Sequence, residues 1–180
     1  MTKLIFIRHS TPLIDPTRPA RDWVLSAEGH AAATALAERL VGHRIGKIIS
    51  SNEPKARQTA EAIAIALHLP LSLDKDLREH ERANVGYLPR PDFEASIARF
   101  FTQPGELAFG EETADHVFAR FSGAVERGVE PNQGTIALVT HGTALTLYLA
   151  RTIGIAPLPF WHSLTLPMAI AVEGGALSIL

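Results

Sequence analysis

Short apolar runs that stop abruptly alternate along this chain with longer stretches in which Ala, Leu, Glu and Arg recur. Residues 3 to 7 form the first run, which reads as a buried strand with Arg8-His9 at its C-terminal end. Pro12, Pro16 and Pro19 make the next segment a loop. Ser26 suits the N-cap of a helix over about 27 to 41, which Gly42 or Gly46 would end. Lys47 to Ser50 reads as a second strand. A helix from Glu53-Pro54 to about His68 follows, with Pro in its first turn. Pro70 closes it ahead of a third short strand, Leu71 to Leu73. Residues 78 to 92 are polar and read as a surface excursion. Helices are expected over 92 to 102 and 112 to 129, a strand over 135 to 139, and a helix over 143 to 153 opened by His141-Gly142. Two apolar runs around Gly174-Gly175 predict a closing hairpin. Strands alternating with helices predict an α/β fold whose mostly parallel sheet is covered on both faces.

Composition narrows the choice of chemistry. With 180 residues, 46% of them apolar and 20% charged, residues 1 to 180 are expected to form one domain. A net charge of −2 with both signs mixed gives no support for nucleic-acid or membrane-surface binding. There is no cysteine, so thiolate metal sites, disulfides and a cysteine nucleophile are excluded. The first apolar stretch is too short for a signal peptide or a membrane span, and a cytoplasmic setting is the default expectation. No Gly-x-x-x-x-Gly-Lys-Ser/Thr segment or Gly-x-Ser-x-Gly elbow is present, which disfavours P-loop and serine-hydrolase chemistry. No pair of histidines has the spacing of a zinc helix, and neither a metal nor a cofactor is expected.

Two segments share one design, an apolar strand followed at once by a histidine: Phe6-Ile7-Arg8-His9 and Leu138-Val139-Thr140-His141. Ligands of open α/β sheets bind at the carboxyl ends of strands, so two such histidines can converge on one point. One histidine alone would be read as a strand cap. Two, with Arg8 beside the first, point to a site.

These residues belong to a longer ordered set. Arg8-His9-Ser10, Leu25-Ser26-Ala27-Glu28-Gly29-His30, Ser50-Ser51 with Ala56 and Gln58-Thr59-Ala60-Glu61, Leu77-Arg78-Glu79, Gly110 to Arg120, and Val139-Thr140-His141-Gly142 follow one another from residue 4 to about 150. The set resembles the motifs of the histidine phosphatase superfamily, which includes cofactor-dependent phosphoglycerate mutases and many small phosphatases. Ser10 stands where that family often has Gly. The resemblance implies a three-layer α/β/α sandwich with a mostly parallel central sheet. It also implies phosphoryl transfer through a phosphohistidine.

The residue chemistry fits that expectation. A neutral imidazole can attack phosphorus and hold the phosphoryl group, splitting one hard step into two. His9 is the expected nucleophile. Arg8, Lys55, His141 and Ser10 are the expected phosphate-binding groups, with His141 protonated beside the dianion and Gly142 allowing close backbone approach. Glu79 is the expected general acid and then base, with a raised pKa; Glu81 is the alternative. Arg21, His80 and Arg82 are possible substrate contacts, while Arg18, Arg78 and Arg90 also fall in the two polar excursions. Phe93, Phe100, Phe101, Phe109, Phe118 and Phe121 are expected in the core.

Lys55 departs from the family, which usually has Arg there. Arg57 lies two residues on, and two helical residues point about 200° apart, so both cannot face one site. Lys55 is assigned the inward role and Arg57 a surface pair with Glu61, with the reverse register as the alternative. The expected activity is a metal-independent phosphomonoesterase acting on a phosphorylated small molecule or phosphoprotein. The rivals are a mutase-type phosphotransferase and a phospholigand-binding module that has lost turnover. The chain lacks the mutases' Asn- and Trp-containing stretch and their longer insertions, which disfavours the first rival. Oligomeric state is not legible in the sequence.

Overall fold

The computed structural model describes residues 3–129 and 134–180. Among them, six strands build one sheet in the order β3-β2-β4-β1-β5-β6. They are β1 (Leu4–Arg8), β2 (Ile45–Ser50), β3 (Leu71–Leu73), β4 (Thr135–Thr140), β5 (Met168–Glu173) and β6 (Ala176–Ile179). The first four are mutually parallel, and β5 and β6 continue the sheet antiparallel as a hairpin around Gly174-Gly175. The helices are α1 (Ala27–Leu40), α2 (Pro54–Leu67), α3 (Arg90–Thr102), α4 (Ala114–Gly128), α5 (Gly142–Ile153) and α6 (Pro157–Ser163).

Alternation along the central strands sets the layers. Ile5, Ile7, Ala137 and Val139 face a core made with Leu36 and Leu40 of α1 and Ala60 and Ile63 of α2. Phe6, Ile136 and Leu138 face the opposite core, built from Phe100 of α3, Val117 and Phe121 of α4 and Leu145 and Leu149 of α5. Because both faces are covered, these strands read as unbroken apolar runs. The result is the expected three-layer α/β/α arrangement. Among the described residues, no helix is long and apolar enough to cross a membrane.

The sheet register places the chemistry. Arg8 lies opposite Thr140 in the β1–β4 pair, and the His9 N–H donates to Thr140 O at 2.9 Å. Ser51, just past β2, donates its N–H to Val139 O at 2.9 Å. The ends of three adjacent parallel strands therefore deliver His9, His141 and Ser51 to the same edge, where α/β sheets bind ligands.

The loop after β1 is stapled down by the Leu25–Gly29 segment. Ser26 caps α1, its side chain accepting from Gly29 N at 3.0 Å, and its own N–H donates to Thr11 O at 3.1 Å. Leu25 N–H donates to Gln58 Oε1 at 2.7 Å, tying the same segment to α2. A methyl group on Gly29 would sit 2.1 Å from Thr11 O, a backbone atom that cannot turn aside. Gly29→Ala is accordingly expected to cost about 1–3 kcal/mol, the range for overpacking. Denaturant unfolding checks it; an unchanged midpoint would contradict this packing.

Candidate active site

His9 is buried at the end of β1, and its Nδ1 lies 2.7 Å from Ser10 O. A carbonyl can only accept, so Nδ1 carries the proton and Nε2 keeps its lone pair. Burial, followed by the charges of His141 and Lys55, pushes the His9 pKa well below its ordinary value. The ring is thus neutral at neutral pH, the state a nucleophile needs.

The His141 ring centroid is 5.1 Å from that of His9. Its Nε2 lies 2.8 Å from Ser51 Oγ, which accepts from Glu53 N–H at 3.2 Å. Ser51 Oγ can donate to Nε2, and the Glu53 carboxylate near Nδ1 favours the His141 proton on that nitrogen. That nitrogen is buried without a hydrogen-bond partner among the described residues, 3.7 Å from Glu53 Oε2. Burial first, then Lys55, lowers the His141 pKa well below its ordinary value. Burial and Lys55 thus disfavour the His141 imidazolium, and a bound dianion would favour it. Arg8 donates from Nη1 to Leu164 O at 2.8 Å, leaving a buried Nε without a partner among the described residues. A Cβ on Gly142 would come within 3.1 Å of that Nε, so the glycine is what lets Arg8 lie against the start of α5. Ser10 Oγ is buried in the same unpartnered condition, while Ser10 N–H donates to Thr59 Oγ1 at 2.9 Å.

Glu79 sits where α5 begins. Its Oε2 accepts from Thr143 N–H at 3.0 Å, and its Oε1 accepts from Ala144 N–H at 2.9 Å and His80 N–H at 2.9 Å. Burial is the largest single influence on its pKa and raises it. The charges of Arg82 and His141, with the Thr143 and His80 donors, outweigh burial and hold the carboxyl at about 2. The expectation of a raised pKa thus fails for the ligand-free site, because the Arg82 and His141 charges, with the backbone donors of Thr143 and His80, favour the anion. Glu81, the alternative, pairs with Arg78 at 2.8 Å.

Lys55 is buried and borders the cavity, whereas Arg57 pairs with Glu61 at 3.4 Å on the surface, each side chain 47% exposed. Lys55 is not free, however: Nζ bonds Glu53 Oε2 at 2.5 Å and Ala20 O at 2.7 Å. Sequence reasoning missed Glu53. Besides holding Lys55, it accepts the Glu79 N–H through Oε1 at 2.8 Å, tying the Glu79 segment to the start of α2. An acid next to a helix-opening Pro and two residues before the odd Lys was the available signal. Arg120 was matched only by its motif. It donates to the carbonyls of Asp76 and Arg78 at 2.8 Å and of Glu79 at 2.9 Å, and pairs with Glu112 at 2.5 Å, so it holds the Glu79 segment from below.

Glu53, Lys55 and Glu79 border a cavity of about 790 Å³. Residues 16–23, the start of α2 and the 78–90 excursion line it, and Arg21 and Arg82 are on its wall. His80 corrects an expectation. It borders the cavity, yet only 2% of it is exposed. Its Nε2 lies 3.1 Å from Glu112 O, and its ring packs 4.4 Å from Phe100 and 4.6 Å from Phe109. Its ring is packed between aromatic side chains, so it has little surface to offer a substrate. Phe93 moves the other way, from the expected core to the cavity wall. Among the described residues no cluster of His, Asp and Glu has the geometry to hold a metal.

Comparison with known proteins agrees with this arrangement. The family model described as histidine phosphatase superfamily (branch 1) matches residues 4–172. A probable phosphoglycerate mutase GpmB of Yersinia enterocolitica is 29% identical over 170 residues, covering 87% of this chain and 77% of that protein. Among solved structures, Bacillus stearothermophilus YhfR superposes with a TM-score of 0.75 at 24% identity, covering 99% of this chain and 95% of that one. A mycobacterial glucosyl-3-phosphoglycerate phosphatase with bound VO3 gives a TM-score of 0.75 at 19% identity, covering 100% and 96%. At these identities the two structures show the fold alone. The family model, spanning nearly the whole chain, shows that this protein belongs to the histidine phosphatase superfamily.

Proposed function

We propose that this protein is a phosphomonoesterase that works through a phosphohistidine on His9. The observation that carries the proposal is the state of the His9 ring: neutral, proton fixed on Nδ1 by Ser10 O, with Nε2 and buried donors on Arg8 and His141 left without partners among the described residues. Buried donors are normally satisfied, so unsatisfied ones gathered at one place call for a ligand that accepts. A phosphoryl group, with three acceptor oxygens, is such a ligand.

The cycle needs only side-chain and backbone groups. Arg8 and His141 donate to the phosphoryl oxygens as His9 Nε2 attacks phosphorus and the ester oxygen leaves with a proton from Glu79, while Lys55 stays bound to Glu53 and Ala20 O. Water, deprotonated by Glu79, then attacks the phosphohistidine and returns His9. Donors aimed at the charge that develops in the transition state contribute the largest share of such rate gains.

The named relatives favour a second reading, transfer to another hydroxyl as in a phosphoglycerate mutase. The cavity supports an ester larger than a glycerate, since about 790 Å³ falls within the roughly 300–1,000 Å³ of sites for drug-sized ligands. Purified protein given a phosphomonoester panel that includes 3-phosphoglycerate separates the two. Release of inorganic phosphate is expected. Phosphate retained on the other hydroxyl of the glycerate would favour the mutase, and binding without turnover would favour a phospholigand-binding module.

A further inference from the structure

The phosphoryl clamp is short of a free cation. Lys55 stands at the position expected to reach the phosphoryl group, yet its ammonium is already held by Glu53 and Ala20 O. Most other arginines on the cavity wall are also accounted for. Arg78 pairs with Glu81 at 2.8 Å and with Asp76 at 3.2 Å. Arg90 pairs with Glu94 at 2.7 Å and its side chain is 86% exposed. Arg18 and Arg21 lie exposed on the 16–23 loop.

Arg82 differs from all of these. It stands three residues after Glu79 in the segment that Arg120 and Glu112 hold in place. Its guanidinium carbon lies 4.9 Å from the Phe93 ring centroid, over the ring face. A guanidinium stacked in this way keeps its N–H donors at the rim, free to bond in its own plane. One of them, Nη1, is buried and has no hydrogen-bond partner among the described residues. The direction of its field agrees. After burial, Arg82 is the foremost charge acting on Glu79 and on His80, and it also bears on His141. Its charge is therefore felt at the centre of the site rather than dispersed into solvent.

We infer that Arg82 supplies the second guanidinium of the phosphoryl clamp, with Phe93 as the platform that fixes its orientation, in the role that the engaged Lys55 leaves unfilled. The inference rests on the proposed phosphate site but not on turnover. Arg8 approaches from the β1 end and Arg82 from the 78–90 excursion. A planar fork on an anion's oxygens supplies geometry that a lysine's point charge does not.

The test reads phosphate binding directly. Inorganic phosphate is titrated calorimetrically into the full-length protein at pH 7.5. Arg82→Met is expected to weaken binding about 10- to 100-fold, the range for losing a hydrogen bond to a charged group. Arg82→Lys keeps the charge without the fork and should lose about 5- to 10-fold. Arg90→Gln, on the exposed rim, should stay within about twofold. Arg82→Met binding as tightly as wild type would overturn the inference. So would Arg82→Lys equal to wild type, which is the deciding comparison if Arg82→Met does not fold. Wild-type protein that binds no phosphate would overturn both this clamp and the proposed function. Phosphate binding that depends on Arg82, in a protein that hydrolyses no ester on the panel, would keep the clamp and remove only the hydrolase.

Discussion

His9→Ala is expected to abolish ester hydrolysis, lowering kcat/KM by about 10⁴-fold or more, the scale on which enzymes lose rate when a covalent nucleophile is removed. The alanine leaves nothing at the end of β1 to attack phosphorus, and the neighbouring groups cannot take over. His141 directs one nitrogen to Ser51, and Glu79 is bound at the start of α5. The variant should still bind inorganic phosphate, because Arg8, Arg82 and His141 remain. It should also fold, since the side chain contributes one hydrogen bond, to a neighbouring carbonyl. Parallel measurement of turnover and phosphate affinity separates a lost nucleophile from a collapsed site. Turnover within about tenfold of wild type would remove His9 from its role.

Glu79→Gln is expected to lower kcat/KM by about 10²- to 10⁴-fold on alkyl phosphates, the usual contribution of a positioned proton donor. The loss should shrink on p-nitrophenyl phosphate, whose leaving group needs little protonation. Equal losses on both would contradict the acid role. The pH dependence follows from the carboxyl's position at about 2 in the free protein. Hydrolysis needs one proton shared between Glu79 and the substrate, and above about pH 2 the free carboxylate has lost its own. The proton then arrives on the substrate monoanion, whose second pKa is about 6. Wild-type kcat/KM should therefore be level below about pH 6 and fall about tenfold per pH unit above it. The same shift bears on stability. The folded-state pKa is depressed from 4.5 to about 2, so this stabilisation is present above the unfolded value and is lost as pH falls towards 2. Acid unfolding that begins in that window, and is shallower in Glu79→Gln, is the matching observation.

Features set by local pattern were legible in the sequence. The apolar runs ended one residue short of the ends of β1 and β4, and adjacency of two parallel strands was enough to bring His9 and His141 together. Helix geometry showed that Lys55 and Arg57 point apart, and the family resemblance chose Lys55 as the inward one. Features set by distant contacts were not legible. The acceptor role of Glu53 depends on the Glu79 N–H, 26 residues away. The polar surroundings of His80 suggested exposure, but Phe100 of α3 and Phe109 before α4 close over its ring. The direction of the Glu79 pKa was misjudged because the groups that lower it, Arg82 and His141 first and then the Thr143 and His80 N–H donors, converge on the carboxyl only in the fold. Helix α6 was missed because seven residues with two prolines give no periodicity to read.

The central claim is a covalent bond from phosphorus to His9 Nε2, and trapping that bond tests it most directly. Wild-type protein mixed briefly with a ³²P-labelled phosphomonoester and quenched in alkali should carry label that is stable in base and lost in mild acid. Mass analysis should place it on the peptide containing Arg8-His9-Ser10, and His9→Ala should carry none. Label that survives in His9→Ala, or wild-type protein that turns over the same ester with no trapped phosphohistidine, would contradict the account.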